Sequence, residues 1–354
     1  MKTFYIGLND KLVLIKETTT GYDFKECLHE KQPTRLAFDP LNQNRLYCST
    51  RDDGLWRSED SGEHWEKVGE SHLSSERNIN RGLPSSKITS VAVSPVRSVG
   101  GYSVVYAGTE PSMLFYSEDR GRTFQEFKGI QTLPSKKDWA FPPRPYTHFV
   151  RWITPSYSKK DYLAISIEAG AVLHTNDHGK IWIDRPEKSP IDAHTLLAHP
   201  KAPGRLYAAN GDGASNNERA YAESEDEGIT WQYMSEGLEE HPYLYNMVLH
   251  PENPNDRIVS ASKNASAAHG SQRYSTVYRK VEDESWKEIA DGLPRKQAYT
   301  HYLANDPDKI GAFYAMNNYG VFYLADGAET WEQTSIPWEA YKDQRAYCFV
   351  VKSF

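Results

Sequence analysis

The sequence predicts an all-β protein, a single seven-bladed β-propeller that takes up residues 1–354. Three observations predict this fold: a short motif recurs along the whole chain, strand-like segments separate its copies, and the segment sets at the two ends are incomplete. The 23 glycines and 20 prolines interrupt the chain often, and the 9 tryptophans and 23 tyrosines supply aromatic surface. Many short strands are therefore favoured over long helices.

The recurring motif reads S-x-D-x-G-x-x-[WF]. Four close copies, "SEDSGEHW", "SEDRGRTF", "TNDHGKIW" and "SEDEGITW", begin at residues 58, 117, 175 and 224. Worn copies are "LADGAETW", "RKVEDESW" and "ETTTGYDF". The closing aromatics of all copies are Phe24, Trp65, Phe124, Trp182, Trp231, Trp286 and Trp331. Seven units in this chain give about 51 residues per unit, somewhat above the usual length of a four-stranded propeller blade.

Each clear unit also carries four strand-like segments. The first ends in proline, as in "TSVAVSP", and the second follows it, as in "VVYAGT". The third runs into the motif and the fourth leaves it. Four antiparallel strands make one propeller blade. Within the motif, Asp and Ser can bond nearby backbone N–H groups, Gly takes a conformation costly for other residues, and the aromatic packs between blades. We therefore predict that the motif is scaffold.

The two ends of the chain complement each other. The segment "FYIGLNDKLVLIKE" begins at a second strand, whereas "QRAYCFVVKSF" is a first strand without followers. Pairing of the two would close the ring and leave no sheet edge exposed. We expect residues near 345–352 to complete the sheet formed by residues near 3–28.

The composition limits the partners and the location. With 41 Lys and Arg against 48 Asp and Glu, the formal net charge is −7, which disfavours nucleic acid as a partner. The sequence contains no apolar run long enough for a membrane span or a secretory signal. The cysteines, Cys27, Cys48 and Cys348, are odd in number and widely spaced, which argues against disulfides. We expect a cytoplasmic protein without a membrane partner.

The motif and its spacing resemble the Asp-box, or bacterial neuraminidase repeat, propellers. That superfamily includes sialidases, sortilin ectodomains, xyloglucanases and photosystem assembly factors, and the resemblance covers essentially the whole chain. It implies the blade architecture and almost nothing about function. It also implies that the motif turns lie opposite the usual ligand face. Loops that enter first strands, and loops between second and third strands, are expected to share the ligand face.

Three histidines stand where first strands begin. His194 and His301 lie six residues before a strand-ending proline, and His148 is one residue away from the matching place. Because first strands converge on the axis, we expect these rings to meet. Three neutral imidazoles can bind a divalent transition metal and leave a coordination position open. Alternatively, they act as general acid and base, or only hydrogen-bond neighbouring backbones.

The loops of the same face carry aromatic residues beside Arg, Asn and Asp, which suits a sugar-like or carboxylated ligand. Tyr243 and Tyr245 are predicted proton donors, and Arg144 is predicted to bind a substrate carboxylate. The predicted substrate-binding residues are Arg51, Trp139, Tyr146, Asp212, His269 and Arg273.

Two functions remain open at this point. We expect a metal-assisted lyase or hydrolase that acts on a small polar substrate at the channel mouth. The alternative is a non-catalytic interaction or assembly scaffold with a protein partner, which the absence of a sharp catalytic motif favours. A sialidase is not expected, because sialidases have six blades and an R-I-P motif near the start, and no R-I-P occurs in the chain.

Overall fold

The computed structural model describes residues 1–70, 82–342 and 344–354. The strands of these residues form seven antiparallel sheets, six with four strands and one with three. The sheets are the blades of a ring, so the predicted seven-bladed β-propeller is confirmed.

The strands follow one another blade by blade along the chain. Blade 1 contains β1 (Lys2–Gly7), β2 (Leu12–Glu17) and β3 (Tyr22–Cys27). Blade 2 contains β4 (Pro33–Asp39), β5 (Asn42–Thr50), β6 (Leu55–Ser58) and β7 (Glu66–Val68). Blade 3 contains β8 (Ile88–Val99), β9 (Tyr102–Thr109), β10 (Leu114–Ser117) and β11 (Gln125–Glu126). Blade 4 contains β12 (Val150–Pro155), β13 (Leu163–Ile167) and β14 (Ala171–Thr175).

The remaining blades follow the same order. Blade 5 contains β15 (Ala193–His199), β16 (Ala202–Asn210), β17 (Tyr221–Ser224) and β18 (Gln232–Tyr233). Blade 6 contains β19 (Tyr243–Leu249), β20 (Asp256–Ser262), β21 (Thr276–Val281) and β22 (Lys287–Glu288). Blade 7 contains β23 (Tyr302–Asn305), β24 (Phe313–Asn317), β25 (Gly320–Leu324) and β26 (Glu332–Gln333). The last strand is β27 (Cys348–Ser353).

Helical segments are short and lie between strands. The α-helix of the described residues is α1 (Ala265–His269), and none of the described helices is long and apolar enough to cross a membrane. The 3-10 turns are Lys128–Thr132, Pro134–Asp138, Asp212–Ala214, Asn217–Arg219 and Glu339–Tyr341.

The C-terminal strand closes the ring as predicted. Strand β27 pairs antiparallel with β1, with Ser353 opposite Lys2 and Cys348 opposite Gly7. The first strands of neighbouring blades contact each other in the order β4, β8, β12, β15, β19, β23, β27 and back to β4. The first strands therefore line the axis, and the ring is closed without a covalent bond. The three cysteines are free and buried, as the sequence indicated.

Blade 4 departs from the predicted four strands. Its outermost strand is reduced to a single bridge between His174 and Ile183. The segment that follows contains Pro186 and Pro190, and proline cannot donate to a sheet ladder. Trp182 still packs in the core of this blade, so the motif keeps its packing role where the strand is lost.

The four close copies of the motif share one hydrogen-bond pattern. In the turn that follows β10, the Ser117 hydroxyl donates to Asp119 (2.8 Å) and accepts from the Gly121 N–H (2.8 Å), while the Thr123 N–H donates to Asp119 (2.9 Å). The same three bonds recur in the other copies. Gly121 has a φ of +80°, where a Cβ is strained. The Ser, or Thr, and Asp side chains of the motif thus make their hydrogen bonds within the turn itself.

Candidate functional site

A cavity of about 510 Å³ opens where the first strands begin. Its wall combines residues at the starts of first strands with residues that follow second strands, such as Arg51, Glu110 and Glu168. The motif turns, which follow the third strands, lie at the other ends of the blades. The cavity is therefore the mouth of the central channel.

Irregular strand starts turn side chains into this cavity. The strand pairing skips one residue near the start of β4, β8, β12 and β15, and the skipped residues are Thr34, Thr89, Arg151 and His194. In β19 the pairing breaks between Leu244 and Met247, next to Tyr245. All five of these side chains line the cavity. Such β-bulges redirect side chains and are frequent beside binding sites.

Positive charge dominates the cavity, although the whole chain carries a net charge of −7. Three carboxylates line it, namely Glu110, Glu168 and Asp192. They face five guanidinium groups, those of Arg35, Arg51, Arg144, Arg151 and Arg345. A concave site with an excess of one charge attracts ligands of the opposite charge. The cavity therefore suits an anionic ligand.

The arginines differ in their partners. Arg144 is held by Glu110 through two contacts of 2.7 and 2.9 Å. Arg35 instead stacks on the Trp152 ring at 4.0 Å, and its buried Nε has no hydrogen-bond partner among the described residues. Burial and the charge of Arg151 lower the pKa of Arg35 to about 10. Arg35 thus has no carboxylate partner among the described residues.

Tyr245 lies among these cations. Its hydroxyl interacts with the guanidinium groups of Arg151 and Arg345 and with the Tyr302 hydroxyl, and Arg151 lies 4.8 Å from its ring centre. Burial raises the pKa of Tyr245, but the two arginines outweigh burial and lower it to about 6. Burial and the neighbouring Tyr245 raise the pKa of Tyr302 well above its usual value. The Tyr245 oxygen is therefore suited to accept a proton.

His194 links two of the carboxylates. Its Nδ1 lies 2.6 Å from the Leu244 carbonyl, which only accepts, so Nδ1 carries the hydrogen. Its Nε2 lies 3.3 Å from Asp192 Oδ2 and 3.8 Å from Glu168 Oε1. Burial lowers the pKa of His194, but the two carboxylates outweigh burial and raise it to about 9. A cation, either a proton on Nε2 or a metal ion, fits between these groups.

His269 completes the wall on the blade 6 side. Its Nδ1 accepts from the Arg345 guanidinium (3.0 Å), so Nε2 carries the hydrogen and donates to the Tyr243 hydroxyl (3.2 Å). Burial and the charge of Arg345 lower the pKa of His269 to about 2, so the ring is neutral. His269 thus fixes the orientation of both neighbours.

Half of the residues singled out from the sequence line the cavity. They are Arg51, Arg144, His194, Tyr243, Tyr245 and His269. The other half lie outside its wall, namely Trp139, Tyr146, His148, Asp212, Arg273 and His301.

The three histidines expected to share a metal do not come together. Both nitrogens of the buried His301 are used, by Ser275 (2.8 Å) and Asn317 (2.9 Å). His148 accepts from the Ser112 N–H at 3.3 Å. Among the described residues, His194 is grouped with Glu168 and Asp192 as possible metal ligands. The physical reason is the strand register, because β23 begins at Tyr302 without a bulge and presents Tyr302, not His301, to the cavity.

The other outlying residues have local roles. Trp139 is buried and packs edge-on against His148. Tyr146 is 83% exposed. Asp212 accepts from the backbone N–H groups that precede β15, so it supports Asp192 instead of facing the ligand. Arg273 donates to backbone carbonyls and stacks on a tyrosine at 4.2 Å.

Sequence reasoning missed several cavity residues, namely Arg35, Arg151, Asp192, Tyr302 and Arg345. A fixed count of six residues back from the strand-ending proline selects Thr34 and Phe149, but Arg35 and Arg151 stand five and four residues before it. The bulges cause this shift. A search that allowed one or two residues of slippage at each strand start would have found both arginines.

No protein-family model matches the sequence, and no curated protein matches it either. Among solved structures, the chain is similar to the GH74 enzyme of Niastella koreensis (18% identity, TM-score 0.62, 84% of this chain and 46% of that one). It is also similar to an ancestral GH74 enzyme (14% identity, TM-score 0.62, 85% and 38%). A third similar structure is YCF48 bound to D1 peptide (16% identity, TM-score 0.55, 86% and 82%).

The chain shares their propeller fold. It spans less than half the length of the two GH74 enzymes but most of the YCF48 chain. At these identities the likeness concerns the fold alone, and the same fold serves catalytic and peptide-bound proteins.

Proposed function

We propose that the channel mouth binds a small, carboxylated, sugar-like molecule and that the protein is a lyase acting on it. One observation carries the proposal: Tyr245 lines a cavity where arginines outnumber carboxylates, and the Arg151 guanidinium lies 4.8 Å from its ring centre. Arg35, which lacks an anionic partner, is the carboxylate anchor that this arrangement favours. The predicted anchor Arg144 is already occupied by Glu110.

The chemistry follows from these positions. Guanidinium groups that bind the substrate carboxylate withdraw charge from it and make the C–H bond on the α carbon more acidic. The Tyr245 oxygen takes that proton, and the C–H electron pair is delocalised into the bound carboxylate. This pair then forms the double bond to the β carbon as the bond between the β carbon and its leaving oxygen breaks. The leaving oxygen takes a proton from the Tyr302 hydroxyl, and transfer of the proton from Tyr245 to Tyr302 restores both residues.

A panel of uronic-acid-containing oligosaccharides tests this reaction. Elimination creates a conjugated double bond, which absorbs in the ultraviolet, and splits the chain without uptake of water. Tyr245→Phe keeps the ring and removes the oxygen, so turnover should fall by about 10²–10⁴, as for loss of a general base. Tyr146→Phe, on the exposed side chain outside the cavity, is the matched control and should keep full activity.

Two results would contradict the proposal. If Tyr245→Phe turned over as fast as the wild type, Tyr245 would not be the base. If the products were saturated and carried the oxygen of water, the protein would be a hydrolase and the elimination step would be wrong.

A second candidate is a non-catalytic propeller that binds a partner through the same face. The comparison with peptide-bound YCF48, most of whose length this chain covers, favours it. In that case acidic peptides would bind, Arg35→Ala would weaken their binding in a fluorescence anisotropy assay, and Tyr245→Phe would leave it unchanged. Turnover of any member of the oligosaccharide panel would argue against this candidate.

A further inference from the structure

We infer that Glu168, Asp192 and His194 form a binding site for a divalent transition-metal ion at the edge of the cavity. The inference goes beyond the proposed lyase activity and does not depend on it. It also replaces the set of three histidines that the sequence suggested with one histidine and two carboxylates.

The donor atoms have suitable positions. One ligand atom from each of the three residues lies within 4.8 Å of the other two. An imidazole nitrogen and carboxylate oxygens bind first-row divalent ions at about 2.0–2.2 Å. Small side-chain rotations therefore bring all three atoms onto one ion.

The histidine is oriented for this role. The Nδ1–H of His194 donates to the Leu244 carbonyl at 2.6 Å, which directs Nε2 to Asp192 and Glu168. A ligating histidine commonly donates its other N–H to a backbone carbonyl in this way. Asp192 is fixed as well, because its Oδ1 accepts from the Ala169 N–H at 2.9 Å and its Oδ2 faces His194.

One carboxylate oxygen of Glu168 accepts no hydrogen bond from the described residues. The residue is only 8% exposed, yet its buried Oε2 has no hydrogen-bond partner among the described residues. Arg151 lies 3.4 Å from this oxygen and compensates one negative charge, while Oε1 is directed to His194. A buried, incompletely partnered carboxylate is costly unless a cation or a donor satisfies it.

Gly211 packs directly against two of the donor residues. A methyl carbon placed on this glycine would lie 2.2 Å from Asp192 Oδ2, 2.6 Å from His194 Cε1 and 2.9 Å from His194 Nε2, all closer than a Cβ atom tolerates. Gly211 has a φ of −75° and a ψ of −20°, which any residue adopts, so its backbone does not require glycine. The absence of a side chain at Gly211 therefore lets the Asp192 carboxylate and the His194 ring keep their positions.

Calorimetric titration of the metal-free protein with Zn²⁺ and with Mn²⁺, without substrate, tests the site. We expect one ion per chain for at least one of the two metals. Gly211→Ala puts a methyl carbon against Asp192 Oδ2 and the His194 ring and so displaces two of the ligands, and Glu168→Gln removes a charged ligand. Each should weaken binding at least tenfold. Glu110→Gln is the matched control, because this cavity carboxylate pairs with Arg144 outside the group.

Circular dichroism establishes which variants are folded, and either Gly211→Ala or Glu168→Gln suffices for the comparison. The inference is overturned if neither metal binds the wild type, since a proton on Nε2 would then be the cation between the carboxylates. It is also overturned if a folded Gly211→Ala or Glu168→Gln variant binds like the wild type. Because the titration contains no substrate, its outcome is separate from that of the lyase assay.

Discussion

Replacement of Asp119 by alanine tests the structural role of the repeated motif. The carboxylate accepts three bonds, from the Ser117 hydroxyl (2.8 Å), the Thr123 N–H (2.9 Å) and the Thr123 hydroxyl (2.6 Å). In alanine all three are lost, and each net contribution is about 0.5–1.5 kcal/mol. Because Thr123 is half-buried, water replaces part of them. We expect a loss of about 2–3 kcal/mol in the free energy of unfolding.

The expected change in melting temperature follows from the size of the chain. At about 2.1 cal/mol/K per residue, the unfolding entropy of the 354 residues is roughly 0.7 kcal/mol/K. The Tm should therefore fall by about 3–4 °C, measured by circular dichroism and checked by urea unfolding. Ligand binding at the opposite face should survive.

Asp177→Ala provides a graded comparison. Asp177 accepts from the Thr175 hydroxyl and the Ile181 N–H, but residue 181 has no hydroxyl to donate a third bond. Its replacement should cost about 1 kcal/mol less than that of Asp119. A melting temperature of Asp119→Ala equal to that of the wild type, or a larger cost for Asp177→Ala, would refute the hydrogen-bond account.

The pH dependence gives an independent check. Burial raises the pKa of Asp119, but hydrogen bonds from Thr123 and Ser117 outweigh burial and lower it. A depressed folded-state pKa stabilises the protein above the unfolded value of about 3.9, and this contribution disappears as the pH falls through the folded value. The difference in stability between wild type and Asp119→Ala should therefore be full at pH 7 and shrink below about pH 4.

Two further predictions concern the ring and its buried charges. Deletion of residues 345–354 removes β27 and Arg345, so the cooperative unfolding transition of the wild type should be lost. Removal of Phe354 alone, which lies outside the strand, is the control. An unchanged Tm of the longer deletion would contradict the closure of the ring by β27. Glu223→Ala leaves Arg257, which is 1% exposed and lies 2.7 Å from Glu223, as a buried unpaired charge and should cost about 3–5 kcal/mol in urea unfolding. A cost below about 1 kcal/mol would show that another group compensates Arg257.

The repeat, the blade count and the ring closure were predictable from the sequence. The motif bonds span at most four residues, as from Ser117 to Gly121, so the local sequence alone specifies the turn. The closing strand was predictable because a propeller with an open edge is unfavourable and the two ends were complementary. The shortened sheet of blade 4 was not predicted, although its prolines were visible.

The face on which the cavity opens was also open to prediction, and its wall includes Tyr245, Tyr243, His194, His269, Arg51 and Arg144. Their partners were not predictable. Arg144 is occupied by Glu110, and His301 is buried between Ser275 and Asn317. Each of these pairings joins chain segments whose contact the repeat pattern of the sequence does not indicate.

Only the tertiary structure decided which side chains meet at the axis. Arg35, Arg151 and Tyr245 come from three different blades and Arg345 comes from the closing segment, so no local pattern relates them. In addition, a bulge shifts the side chains of its strand by one residue. Because side chains alternate between the two faces of a strand, this shift decides whether a residue faces the channel. The hydrogen bonds of the turns join residues that are close in sequence, so they can be predicted from the sequence. The register at the strand starts is set instead by packing around the closed ring.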